Sequence, residues 1–176
     1  MAALYLVTGI MAAGKSTIGQ ALAERFPKSV HLRGDLFRRA VVNGRQEMGP
    51  DPTAEALSQL RLRYRLAAAA ADSYVEAGFT TVVQDIVIGP MLEEFVSFVR
   101  HRPLVVVVLA PTVDEVARRE AGRAKSGYGA LSPADLDRVL REETPRLGYW
   151  IDSSDLTVEE TVARIIEAAP RHAVSG

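Results

Sequence analysis

A doubly wound α/β domain, built on a five-stranded parallel sheet with helices on both faces, is what this sequence predicts. Three observations carry that expectation. Apolar, β-branched runs alternate with helical segments along the whole chain, the pattern of a parallel sheet with crossover helices. Two of those runs, "TTVVQDIVI" and "PLVVVVLAP", are apolar almost throughout, as strands covered on both faces must be. The first run, "LYLV", passes directly into a glycine-containing turn, "TGIMAAGKST", and then a helix, an order in which the turn lies at the carboxyl edge of a strand. With 176 residues the chain can bury one good core, so residues 1–176 are read as a single domain.

Each element follows from its own residues. Leu4 to Val7 is a buried strand and "STIGQALAERF" begins a helix; "SVHLRGD" is a short second strand ending at Asp35, and "LFRRAVV" a short helix. A Gly/Pro-rich break, "NGRQEMGPDPT", separates it from a long alanine-rich helix over about 54–77, closed by Gly78. "FTTVVQDIVI" is a central strand, and "PMLEEFVSFVRHR" a helix with proline in its first turn. After the strand "PLVVVVLAP" come "TVDEVARREAGRAKSGYG" and "SPADLDRVLREETP", both capped helices, then "YWIDSS", a last short strand, and "TVEETVARIIEAA", a last helix. In such sheets ligands collect at the carboxyl ends of the strands. That rule gathers the 9–16 turn, Asp35, Gln84 and Asp85, the 118–125 segment and the 152–154 segment on one rim.

Composition removes several kinds of function. Zero cysteines exclude disulfides, thiolate metal sites and cysteine nucleophiles, and His31, His101 and His172 lack metal-ligand spacing, so any metal is a hard one held by oxygen. A net charge of −1 offers no general attraction for nucleic acid. No apolar run is long enough to span a bilayer, and the first residues lack the basic flank of a cleaved leader, so a cytoplasmic protein with no membrane role is expected. No obligate protein partner is evident. Of 21 basic residues only Lys15, Lys28 and Lys125 are lysine, and one of them sits in the glycine turn.

Gly9 to Ser16 spells G-x-x-x-x-G-K-S, the phosphate-binding loop motif. Glycines at 9 and 14 permit a compact loop whose backbone N–H groups converge, and the following helix adds its positive end. Gly9, Ala12, Ala13 and Gly14, with Lys15, Ser16 and Thr17, form the candidate nucleotide cradle. Lys15 reaches the outer phosphates and the Ser16 hydroxyl is a ligand for Mg²⁺. No N-K-x-D guanine-reading element occurs in the chain, which favours ATP. The small size favours a self-contained phosphotransferase.

"TGIMAAGKST", "HLRGDLFRR", "TVVQD" and "REAGR" before a glycine-containing loop, taken in order, cover essentially the whole chain. Together they resemble the P-loop small-molecule kinases of the chloramphenicol phosphotransferase, zeta-toxin and gluconate kinase group. The resemblance implies a P-loop NTPase fold of the nucleoside/adenylate kinase kind and transfer of the γ-phosphate of ATP, with Mg²⁺, to a hydroxyl of a small molecule such as an antibiotic or a sugar-like acceptor. It implies that Asp35 is the base or orienter beside that hydroxyl, against the alternative that it only caps a helix. Asp85 resembles the acidic residue that closes the Mg²⁺ shell, usually through water, with a structural hydrogen-bond pair at the strand end or a contact to substrate as the alternatives. A mobile lid over about 119–131 is implied, with Arg119 on the adenine and Arg123 on the transferred phosphate, where surface ion pairs with Glu115 and Glu120 are the plain alternative.

The acceptor side is placed in the helical region around 36–77. Arg38 and Arg39 follow Asp35 by one turn; Arg61 and Arg65 share a helical face while Arg63 points elsewhere. Tyr64, Met48 and the loop before the long helix are candidates for an apolar wall. Lys15, Asp35 and Arg123 are thus the candidate catalytic residues, and Asp35, Arg38, Arg39 and Asp85 the candidate acceptor-binding ones. Two other functions fit the same residues: a nucleoside or nucleotide kinase, and an ATP-binding switch with slow hydrolysis.

Overall fold

The computed structural model describes residues 2–121 and 131–174. Its elements, in chain order, are β1 (Leu4–Thr8), α1 (Lys15–Glu24), β2 (Ser29–Arg33), α2 (Asp35–Arg39), α3 (Ala54–Glu76), β3 (Thr80–Gln84) and α4 (Met91–Phe98). Then come β4 (Leu104–Leu109), α5 (Val113–Ala121), α6 (Pro133–Arg138), which runs on as a wider π-type turn over Val139–Glu143, β5 (Tyr149–Ile151), α7 (Val158–His172) and β6 (Ala173–Val174).

Five strands pair in parallel in the order β2-β3-β1-β4-β5, with β1 at the centre. Every residue of β1 and of β4 is buried. Since successive side chains point to opposite faces, both faces of the sheet must be covered, as the apolar runs require. A sixth strand departs from the expected five. β5 covers only Val107 to Leu109 of its neighbour, and β6 pairs antiparallel with Leu104 and Val105, supplying partners to the backbone groups that β5 leaves uncovered.

Three elements end earlier than their sequence patterns suggest. β3 stops at Gln84, because the Asp85 carboxylate takes the Ile86 N–H at 2.7 Å and Thr8 Oγ1 both accepts from Val87 N and donates to Val87 O, each at 2.8 Å. Side chains there satisfy the backbone that a longer strand would have paired. α2 stops at Arg39, and Val42 beyond it is 88% exposed, so a longer helix would have buried nothing. α4 stops at Phe98, where the Arg102 guanidinium donates to the carbonyls of Val96, Val99 and His101.

Long α3 is fixed by its Thr53 cap, whose side chain accepts from Ala56 N, and by a buried stripe through Ala56, Tyr64, Ala67, Ala68, Ala71 and Val75. Tyr64 is 2% exposed, stands edge-on to Phe95 at 5.7 Å and donates to Ile86 O at 2.6 Å; burial raises its pKa. It therefore belongs to the core and is not an acceptor wall. Among the described residues no helix is long and apolar enough to cross a membrane.

Candidate active site

The strand order brings the carboxyl ends of all five parallel strands to one rim, with β1 between β3 and β4. The turn after β1 is shaped by backbone that most residues avoid. Gly9 has φ +147°, and a Cβ there would lie 2.6 Å from Leu109 O; Gly14 has φ +95° and stands at the cap of α1. Ala12 also sits at positive φ, 58°, a conformation that an L-residue holds at a cost of about 1–3 kcal/mol. The first turn of α1 carries no acidic residue, so its positive end is uncompensated within the helix. Lys15 is only 8% exposed and its Nζ donates to Ile10 O at 2.6 Å. Ser16 and Thr17 are exposed at the helix start.

Beside this turn opens a cavity of about 250 Å³. Ile18, Leu156 and Val158 line its apolar part, and Thr161, Ser153 and Arg119 its polar edge. Arg119, on α5, reaches across it: Nη1 donates to Ala13 O and Nη2 to Ser153 O, both at 3.3 Å, while Nε holds Glu115 at 2.6 Å. The ion pair with Glu115, the plain alternative for this arginine, is present, and the same guanidinium also reaches the phosphate loop. Asp152 folds back on Ser154, whose N–H and hydroxyl hold its pKa down. Arg123 and most of the expected lid lie outside the described residues.

On the other side of the turn, Asp35 opens α2 without capping it; the cap position is Gly34. Its carboxylate accepts from Arg38 Nε at 2.8 Å and Arg39 Nε at 2.5 Å. Burial pushes the Asp35 carboxyl up, and the two guanidiniums more than offset that, leaving it below the usual carboxylate range. Arg38 also forks onto both oxygens of Glu47 at 2.6 and 2.8 Å. Arg38 and Arg39 thus grip Asp35 first.

Asp85 is 2% exposed and bound side-on by Arg63: Nε donates to Oδ2 at 2.7 Å and Nη2 to Oδ1. Burial raises its pKa, against the pull of Arg63 and the Ile86 N–H. Of about four lone-pair sites on a carboxylate, three are taken, so this group fits Mg²⁺ through a bound water and not as a direct ligand. A Cβ on Gly34 would collide with Asp85 Oδ2. Since Asp85 is buried and paired, Gly34→Ala is expected to break the pair and cost about 3 kcal/mol, seen as a fall in melting temperature of roughly 6–12 °C. An unchanged melt would mean that Asp85 can move.

Arg61 and Arg65 are turned to α4. Arg61 Nε donates to Glu94 at 2.7 Å and Arg65 lies over Phe98 at 5.8 Å. The loop that precedes α3 is tied to it by Gln59, which accepts from Gln46 N at 2.9 Å and donates to Gly44 O at 3.0 Å. His31 lies between Gln20 and Gln84, and no group of metal-ligating side chains occurs among the described residues. Sequence reasoning passed over Arg63, Gly34 and the apolar wall from Ile18, Leu156 and Val158. For Arg63 a signal exists: it stands four residues before Ala67 on the buried stripe of α3, where an arginine needs a partner.

No curated protein matches the chain by sequence. Solved structures share its fold at low identity. A sugar kinase from Janibacter sp. HTCC2649 is 17% identical with a TM-score of 0.71, over 99% of this chain and 100% of that one. A gluconokinase from Sinorhizobium meliloti 1021 is 20% identical with a TM-score of 0.63, over 96% and 92%. The tunicamycin resistance protein of Deinococcus radiodurans is 17% identical with a TM-score of 0.67, over 100% of both. The profile described as AAA domain matches residues 4–145, which include the phosphate-loop motif, both carboxylates and Arg119, and the chain belongs to that family.

Proposed function

We propose that this protein is an ATP-dependent phosphotransferase that moves the γ-phosphate to a hydroxyl of a small molecule. One observation carries the reading: a phosphate loop with a buried lysine shares its rim with an arginine-held carboxylate, Asp35, on the opposite side of the turn. The fold shared with kinase structures supports it.

In this reading the N–H groups of 9–14 and Lys15 hold the phosphates. Ser16, with Asp85 acting through a water, would hold Mg²⁺, which would supply charge neutralisation on the phosphates. Asp35 orients the acceptor hydroxyl. The hydroxyl oxygen bonds to the γ-phosphorus, the bond to the bridging oxygen of ADP breaks, and the hydroxyl proton passes to Asp35 or a phosphate oxygen. A carboxylate held below the usual range is a weak base, which suits a transition state that needs positioning more than proton removal. The cavity under Arg119 takes the adenine, with the guanidinium against the ring. Arg119→Ala is expected to raise KM for ATP about tenfold with a smaller change in kcat, a loss in the range of one cation–π contact; an unchanged KM would remove Arg119 from the nucleotide site.

The test is ADP release from Mg-ATP across hydroxylated acceptors: antibiotics, sugar acids, nucleosides and sugar nucleotides. An acceptor-dependent rise lost in both Lys15→Ala and Asp35→Asn establishes the reading. Slow hydrolysis that no acceptor stimulates, and that only the lysine variant loses, indicates a switch instead.

A further inference from the structure

The arginines around the cleft differ in how fully they are used. Arg38 gives Nε to Asp35 and Nη1 to Glu47, Arg39 gives Nε to Asp35, and Arg61 turns to Glu94. Arg38, Arg39 and Arg61 have side chains 32, 71 and 40% exposed, so water can satisfy their remaining donors. Arg63 is different: its side chain is 16% exposed and its Asp85 partner 1%. A guanidinium carries five N–H donors in a rigid fork. Nε and Nη2 serve Asp85, while Nη1, on the opposite side of the fork, makes no hydrogen bond to the described residues.

Asp85 cannot easily release that fork. It is itself seated against Gly34, where any side chain would collide with it, and it is pinned by the Ile86 N–H. The guanidinium plane is therefore set before any ligand arrives. Gly34 is the residue before Asp35, so the Asp85 carboxylate that Arg63 holds packs against the backbone leading into the residue proposed to orient the acceptor hydroxyl. A fixed, mostly buried cation with unused donors recognises an oxyanion better than a neutral oxygen, because charge-assisted bonds are about twice as strong.

We propose that Arg63 is a specificity-determining residue for the acceptor, and that the acceptor carries an anionic group, a carboxylate or a phosphate, which binds the free edge of its guanidinium. Asp85 is a positioning residue that holds the fork in place. This rests on the phosphotransferase reading for the meaning of "acceptor", but the anion site itself does not depend on turnover.

The experiment uses the full chain saturated with Mg-ADP, so that the phosphate loop is filled. Calorimetry then measures matched pairs that differ in charge: D-gluconate against D-glucitol for a carboxylate, and cytidine 5′-monophosphate against cytidine for a phosphate. At least one anion is expected to bind about tenfold or more tighter than its neutral counterpart. Arg63→Gln, kept saturated with Mg-ADP, is expected to bring that ratio close to one, and Arg63→Lys, which keeps the charge but not the fork, to leave a smaller preference. Asp85→Asn, which loosens the fork, is expected to lower the preference without abolishing it. If Arg63→Gln does not fold, the lysine and asparagine variants carry the test. No advantage for either anion, or a preference that survives substitution of Arg63, overturns the proposal. An anion preference lost with Arg63, in a protein that transfers phosphate to none of the four compounds or to the wider panel, would leave this site standing and sink the kinase reading.

Discussion

Lys15→Ala is expected to lower acceptor-dependent ADP release by about a thousandfold, the loss of one fully desolvated charge contact to the transferring phosphate, on the order of 4 kcal/mol. The folded protein should survive the change. Lys15 is 8% exposed and its ammonium rests on the Ile10 carbonyl, so its removal takes a desolvated cation out of the loop. What remains of the cradle is backbone, shaped by Gly9, Ala12 and Gly14 at positive φ, none of which depends on the lysine side chain. A melting temperature equal to or slightly above that of the parent, together with lost turnover, is the expected pair of results. Turnover within tenfold of the parent would show that the loop does not hold the reacting phosphates.

Asp35→Asn is expected to reduce kcat about a hundredfold or more while KM for ATP stays within about twofold, since the side chain is proposed to touch the acceptor and not the nucleotide. The asparagine keeps the shape and one acceptor oxygen but loses the charge that Arg38 and Arg39 now share. Those guanidiniums hold the Asp35 carboxyl below its ordinary value, so the acid limb of kcat/KM should fall below the usual carboxylate range. The stability effect has the same sign: a depressed folded pKa contributes stability above the unfolded value of about 3.9 and loses it as pH falls through the folded one. Transfer by Asp35→Asn at the parent rate would remove both the base and the orienting role, and leave Asp35 as the anchor of Arg38 and Arg39.

The same two sides of the site differ in how far they could be read from residues alone. The phosphate loop was fully legible, because strand, turn and helix are contiguous and the required residue types sit at fixed spacing within Gly9 to Ser16. The parallel sheet was legible from "LYLV", "TTVVQDIVI" and "PLVVVVLAP", although the last part of the second run leaves the sheet. Thr8 and Asp85 take over its backbone hydrogen bonds there, and no local pattern announces that. The small β6 was missed for a related reason: it pairs with the part of β4 that the short β5 leaves uncovered, which no local pattern announces.

The acceptor side was legible in composition but not in orientation. Arginines at 38, 39, 61, 63 and 65 were all visible, and the long helix was delimited within a residue or so of its observed ends. Which of them turns inward depends on the face that α3 gives to its neighbours, and the pairing of Arg63 with Asp85 spans 22 residues. That pairing leaves Asp85 one open lone pair, enough for a contact through water, and drew in Gly34, which the sequence shows only as a glycine between Arg33 and Asp35.

By itself, then, the sequence determined the sheet, the phosphate loop and the rim on which the chemistry collects, because each of these depends on hydrophobic periodicity or on residues adjacent in the chain. Only the tertiary structure decided which distant groups meet: Arg119 with Ala13 O across 106 residues, and Arg63 with Asp85 across 22. A buried charge takes whatever partner the packing brings within about 3 Å, and that distance is a property of the folded chain and not of spacing along it.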